Sequence, residues 1–214
     1  MRTKPLWLQC ADTRRSWVAR VQEKPKLSLA VVPWSKEHDA SQFTSNLASI
    51  KKYIQEQAHR DVSSYTSSVF VLAELGDMVI RGYYSLSSIS IVFNELPDKV
   101  RKRLPRYPET SAILLGRLGV DRDYSKNLQD TLGEKPRLGE LLLANAQIRC
   151  LKNSKDVGSA LLIIDAEMPT EEEQKSGALD PLRFYTKYGF LPLTANPRRL
   201  IKTMRAIAEE YKSI

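Results

Sequence analysis

The chain has 214 residues, 42% hydrophobic and 27% charged, the balance of an ordinary globular domain with one sizeable core. Its 33 Lys and Arg outnumber 25 Asp and Glu, a formal net charge of +8, and such an excess favours a polyanionic partner such as nucleic acid, because each cation set against a phosphate releases condensed counterions. No run approaches the roughly 18 apolar residues of a membrane helix, and Met1 to Cys10 lacks the apolar core of a secretory leader, so a cytoplasmic chain with no membrane partner is expected.

In chain order, Leu27 to Trp34 predicts a strand. Phe43, Leu47, Ile50, Ile54 and Ala58 recur at helical spacing behind Ser41 as a cap, so a first helix is expected over 41–60. Val69 to Leu75 and Met78 to Val92 are rich in β-branched and aromatic residues, and Gly76-Asp77 between them signals the turn of an antiparallel hairpin. Asn94 to Glu109 contains Pro97, Pro105 and Pro108 and is expected to be irregular. Ala112 to Val120 reads as a strand, Leu138 to Leu151 as a central helix that is apolar nearly all round, and Ala160 to Ala166 as a strand covered on both faces. A polar loop (Met168 to Gly177), a helix ending near Tyr188-Gly189, two closing strands near Leu191 and over Leu200 to Met204, and a short terminal helix complete the chain. There is no internal repeat.

Few residues offer metal or nucleophile chemistry. Cys10, Cys150, His38 and His59 form no ligand pattern, which argues against zinc and against a Cys/His pair. A more informative arrangement is a strand (Ala112 to Val120), a loop and a helix opening at Leu138-Gly139-Glu140. Unpaired N–H groups and the positive end of a helix dipole suit a pyrophosphate there, and Gly139 would admit a close backbone approach. A glycine that simply eases packing or caps the helix gives the same pattern.

From Val32 onward the chain resembles the Gcn5-related N-acetyltransferases, and among them the toxins that acetylate aminoacyl-tRNA. The resemblance rests on seven pieces in order. They are Glu37-His38-Asp39 with Phe43, Gly82-Tyr83-Tyr84-Ser85-Leu86, Leu104-Pro105-Arg106-Tyr107-Pro108, Leu115-Gly116-Arg117-Leu118-Gly119-Val120-Asp121, Leu138-Gly139-Glu140-Leu141-Leu142, Ile164-Asp165-Ala166, and Phe184-Tyr185-Thr186-Lys187-Tyr188-Gly189-Phe190. It implies an α/β (α+β) fold with a central mixed sheet, splayed parallel strands and flanking helices over residues 31–214, behind an extension of residues 1–30. It also implies acetyl-CoA as cofactor, aminoacyl-tRNA as acceptor and a partner antitoxin with DNA-binding ability; a homodimer is left open.

Residue by residue, the resemblance implies that Leu118, Gly119 and Val120 offer backbone groups to pantetheine where their strand splays from Leu162 to Ala166. Leu138, Gly139 and Glu140 would meet the phosphates. The glycine pattern of the family's phosphate loop is altered here: the stretch reads Glu134-Lys135-Pro136-Arg137-Leu138-Gly139, Arg137 replaces a glycine, and about nine residues between Ser125 and Gly133 look inserted. Lys135 and Arg137 could compensate by pairing with phosphate oxygens. Tyr185 matches the catalytic tyrosine, whose phenol, ordinarily of pKa about 10, is protonated at neutral pH and can reprotonate a departing thiolate. On the heptapeptide alone, Tyr185 reads instead as a core aromatic beside Phe184 and Phe190.

No general base stands out near these motifs. An α-amine of pKa about 7.7 to 8.0 needs less help from a base than a lysine amine near 10.4, which favours aminoacyl-tRNA. Arg101, Lys102, Arg103 and Arg106, with Arg198 and Arg199, are the cations expected to carry its acceptor arm, although a solvated face explains any single basic cluster. Two alternatives stay open: the same chemistry on a protein or small-molecule amine, and a cofactor-deficient module that binds nucleic acid or a partner.

Overall fold

The computed structural model describes residues 28–134 and 136–212. Lys135 and nearly all of the expected N-terminal extension lie outside the described residues. Seven strands form one sheet in the order β1-β2-β3-β4-β5-β7-β6. These are β1 (Leu29–Pro33), β2 (Ser68–Glu74), β3 (Gly82–Val92), β4 (Glu109–Val120), β5 (Leu161–Asp165), β6 (Leu191–Pro192) and β7 (Arg199–Thr203). Every neighbouring pair is antiparallel except β4 and β5. A parallel pair needs a long crossover, which α4 (Arg122–Leu132) and α5 (Leu138–Val157) supply. The chain thus has the expected mixed α/β architecture.

Side-chain alternation assigns the two faces. On β5, Leu162 and Ile164 join the core under α5 with Leu142, Leu143, Ala146 and Cys150, while Leu161 and Ile163 join a second core beneath Leu96 and Val100. Burial on both faces is why β5 reads as a continuous apolar run. The second face also carries a helix of three parts, α1 (Ala48–Lys52), a π turn (Tyr53–Gln57) and α2 (Ala58–Ser63), whose Ile50, Tyr53 and Ile54 pack with Phe43 on Val69, Val71 and Tyr83.

Several boundaries differ from the sequence expectations. The first helix begins at Ala48, not behind Ser41; Leu47 is its N-cap residue, and the Ala48 N–H donates to Glu173 Oε1 at 2.8 Å. A partner 125 positions away sets this start, so no local capping pattern reveals it. The Pro-rich stretch holds a 3-10 turn (Phe93–Glu95) and the single-turn α3 (Asp98–Arg101), because Leu96 and Val100 find apolar partners on the sheet. The stretch that looked like a loop insertion is α4, N-capped by Asp121, which accepts from the Tyr124 N–H at 2.9 Å, and closed by Gly133 at φ 72°. Within the expected polar loop lies α6 (Glu171–Lys175), held by a Thr170/Glu173 capping box. The helix of the aromatic heptapeptide is α7 (Leu182–Lys187), and the terminal helix is α8 (Met204–Glu210).

Gly119 sets how closely the first helix crosses β4. A Cβ built there would lie 2.4 Å from Ile50 Cγ2 and 3.2 Å from Tyr83 Cε1. Gly119→Ala is therefore expected to overpack this crossing and cost about 1–3 kcal/mol. Thermal denaturation checks it: each kcal/mol lowers Tm by about 2–4 °C in a domain of this size.

Candidate active site

The site is built around an interruption of β4. Its register against β3 shifts between Ser85 and Leu86, which face Arg117 and Leu115, so Gly116 is an extra residue on β4. A bulge of this kind bends the strand and moves its alternation by one. Ile113 and Leu115 face the α5 core before it, and Leu118 and Val120 face that core after it. The parallel pairing with β5 runs only from Ala112↔Leu161 to Leu115↔Ile164. Beyond Leu115 the two strands part, and the β4 backbone groups that point away from β3 lack a strand partner.

A cavity of about 830 Å³ occupies this splay, lined by Asn46, Leu47 and Ile50 on one side, Leu118 to Val120 along the strand, and Gly139 and Gly177 to Pro181 with Arg183, Phe184 and Tyr185 opposite. Val120, Gly139 and Phe184 also line a second cavity, of about 640 Å³, with Arg137, Leu138, Glu140 and Lys187. The two make one cleft that runs from the splay to the N-terminus of α5.

That N-terminus is suited to an anion. Arg137 is the N-cap residue and makes no side-chain cap, and the first helical bond is Leu141 N–H to Arg137 O at 3.0 Å. The N–H groups of Leu138, Gly139 and Glu140 therefore have no acceptor within the helix, and the helix dipole adds positive potential. The Glu140 carboxylate is itself compensated: the Tyr188 hydroxyl, then Lys187 and Arg137, hold its carboxyl below the usual range. Glu140 can thus offer a ligand its N–H rather than its side chain. Arg137 is 80% exposed and reaches Glu140 at 3.4 Å. At Gly139 an added Cβ would meet only Phe184, at 3.8 Å, so the glycine leaves the passage between the cavities open rather than relieving a clash.

Tyr185 lies on α7 at 7% exposure, edge-on to Phe184 and Phe190. It is both a core aromatic and a wall of the cavity. Burial pushes its phenol well above the ordinary tyrosine value, so the hydroxyl stays protonated. The carboxylate lining the cavity, Asp180, is committed elsewhere: Arg198 donates to it at 2.7 and 3.3 Å and holds its pKa down.

The basic residues divide differently from the sequence expectation. Arg198 is bound to Asp180 and to Ala166 O, and Arg199 donates to both Asp165 oxygens at 2.7 and 2.8 Å, so neither is a free cation. Lys202, in the same cluster, is buried, with Nζ bonded to Gln147 Oε1, Tyr188 O and Glu210. Arg101 pairs with Asp98 and, with Lys102, Arg106 and Tyr107, lines a separate hollow of about 760 Å³. Arg103 lies on the other side of that segment, beside Lys99 and Gly189. This segment precedes Glu109, and at about 3.3 Å per residue β4 rises about 30 Å from Glu109 to Leu118. Among the described residues the cations at the cleft are Arg183, Arg122, which pairs with Asp123 at 2.8 Å, and Arg137 and Lys187, each 3.4 Å from Glu140; of these the sequence pointed to Arg137. Arg122 follows directly on the quoted β4 motif, and Arg183 and Lys187 flank or lie within the aromatic heptapeptide; the signal was adjacency to motifs already in hand.

No protein-family model matches the chain. Over 168 residues it is 27% identical to a tRNA-acetylating toxin of Mycobacterium tuberculosis, covering 78% of this chain and 87% of that protein. Over 173 residues it is 23% identical to a probable toxin TacT of Sinorhizobium fredii, covering 79% and 89%. Among solved structures it superposes on the toxin AtaT complexed with acetyl-methionyl-tRNAfMet, with TM-score 0.70 and 21% identity over 86% of this chain and 99% of that one. A tyrosine-to-phenylalanine variant of AtaT, bound to the C-terminus of the antitoxin AtaR and acetyl-CoA, matches with TM-score 0.64 and 17% identity over 87% and 99%. The chain has the fold of the Gcn5-related N-acetyltransferases and is similar along most of its length to their tRNA-acetylating toxins.

Proposed function

We propose that this chain is an acetyl-CoA-dependent N-acetyltransferase that modifies the α-amine of aminoacyl-tRNA and so blocks translation, as a cytoplasmic toxin held in check by an antitoxin. The observation that carries it is the splay of β4 from β5 beyond Leu115, with a buried, protonated Tyr185 on the wall of the resulting cavity. Among the described residues no helix is long and apolar enough to cross a membrane.

The cleft fits acetyl-CoA in kind. Leu118 to Val120 would hold the pantetheine amides through the open edge of β4, and the N–H groups of Leu138 to Glu140, flanked by Arg137 and Lys187, would hold the phosphates. When bound, acetyl-CoA supplies the acetyl group as a thioester. Tyr185 then holds a proton for the sulfur that leaves. The amine must arrive uncharged, since Asp180 is tied to Arg198 and is a poor base. An α-amine meets that demand near neutral pH. Arg183 lines the same cavity as Tyr185, as does Arg122, which pairs with Asp123, and Lys102, Arg103 and Arg106 would meet RNA farther along.

Incubation with acetyl-CoA and a pool of charged tRNA, followed by identification of the acetylated ends, tests the proposal. Acetylated aminoacyl ends are expected. Acetyl-CoA turnover on protein or small amines, with none on charged tRNA, would overturn it.

Tyr185→Phe is expected to preserve the fold and acetyl-CoA binding and to lower kcat by about 100-fold or more; normal turnover with normal binding would remove Tyr185 from its role. In the wild type, the rate should rise through the α-amine pKa near 7.7–8.0 and show no alkaline decline from Tyr185 below pH about 10, since burial raises that phenol. A pH–rate profile of kcat/KM decides this. Gly139→Val narrows the passage between the cavities and should weaken acetyl-CoA by about 10-fold or more, whereas Arg137→Ala removes an exposed cation worth about 2- to 5-fold. Thermal-shift titration with acetyl-CoA measures both.

A further inference from the structure

Arg117 follows the bulge of β4 and pairs opposite Ser85. Its side chain lies on the face opposite α5, with the guanidinium 5.7 Å from the centroid of the Tyr53 ring. One Nη donates to the neighbouring Gly116 O at 2.9 Å, whereas Nε is fully buried and has no acceptor among the described residues. No carboxylate pairs with it among the described residues, and the neighbouring acceptors already serve other donors. Asp61 accepts from the Tyr53 hydroxyl at 3.0 Å, Ile50 O accepts from the Tyr83 hydroxyl at 2.6 Å, and Asp165, just past the last β4–β5 pair, is held by both arms of Arg199. Arg81 shows the contrast: its Nε is equally buried, but its guanidinium reaches Asp77 at 3.3 Å.

A guanidinium cannot shed its proton. Half-buried without a carboxylate, it carries a desolvation cost that a bound anion would offset. The place is open to one: Arg117 and Ser87 on this face are only partly covered, between the first helix and the segment carrying α3. Arg117 also adjoins Leu118, which lines the cavity.

We infer that Arg117 grips the last phosphodiester of the acceptor RNA, on the face of β4 opposite α5, and so positions the α-amine at the splay. The inference rests on the proposed acetylation of aminoacyl-tRNA. In that acceptor the amine is joined through the ester and ribose to a 5′ phosphate, so an anion stands a short way from the attacking nitrogen. A forked guanidinium matches phosphate geometry. The phosphates of acetyl-CoA are drawn to the N-terminus of α5, along the other side of the strand, and do not compete for it. A protein N-terminus has no obligatory anion at this position.

The test compares aminoacyl-adenosine with and without its 5′ phosphate as acceptors, alongside charged tRNA, for the wild type and for Arg117→Gln and Arg117→Lys. The wild type is expected to favour the phosphorylated acceptor by about 10- to 100-fold in kcat/KM. Arg117→Gln should abolish the preference and Arg117→Lys should keep part of it, because a point charge replaces the fork. Both variants should bind acetyl-CoA normally by thermal shift, which also reports that they fold. On charged tRNA the logarithmic salt slope should fall by about 0.7 in Arg117→Gln. An undiminished preference, or for tRNA an undiminished slope and kcat/KM in both variants, would overturn the role of Arg117 while leaving the proposed function intact. Failure of the wild type on charged tRNA would overturn both.

Discussion

The structure depends on a strand that keeps one partner and leaves the other. β4 stays paired with β3 along its whole length but follows β5 only through Leu115. The extra residue, Gly116, bends the strand at that point and changes which side chains face which layer. Leu118 and Val120 thereby remain under α5 while Arg117 and Gly119 turn to the first helix. Without the shift, the glycine that admits Ile50 would sit on the wrong face and an arginine would point into the apolar core. One inserted residue therefore settles both the opening of the cleft and the chemistry of its two sides.

The other walls are positioned by polar contacts between segments far apart in sequence. Glu173 accepts from the Ala48 N–H and Glu167 accepts from Ser49, tying the start of the first helix to the segment before α7. Arg198 fastens Asp180, whose carboxylate also accepts from the Leu182 N–H at the entry of α7. Behind the same helix, buried Lys202 bonds to Tyr188 O, Gln147 and Glu210, joining α7, α5 and α8 through one ammonium. The exposed pairs are individually weak, whereas loss of a partner from the buried ammonium would leave a charge in the core. Lys202 is thus the firmer support behind Tyr185.

Much of this order was legible in the sequence where local chemistry dictated it. The continuous apolar run of β5 announced burial on both faces, and the Leu-rich stretch of α5 announced a central helix. The motif Leu115 to Asp121 located the splay, although no local propensity marked Gly116 as the bulge. The start of α1 was not legible because its cap comes from Glu173. Polar α4 escaped because Leu128 alone among its residues is buried, although Asp121 and Gly133 bracket it as ordinary helix caps would. For the basic residues the sequence counts charges but not their partners: Arg198 and Arg199 are paired with Asp180 and Asp165.

That neutralisation changes how the net charge of +8 bears on function. A cation paired with a carboxylate adds little to the field a phosphate feels, and beyond about 8–10 Å salt screens most of what remains. Of the cations near the splay, Arg122 is itself paired with Asp123 at 2.8 Å, whereas Arg183 in the cleft and Arg117 on the opposite face of β4 have no carboxylate partner among the described residues. The same cleft offers a weak base in Asp180 and a strong proton holder in Tyr185. Such a site does little for an amine that arrives protonated and suits one that is partly free at neutral pH. The committed carboxylate and the protonated phenol thus agree with the proposed acceptor, whose amine needs no base to be partly free.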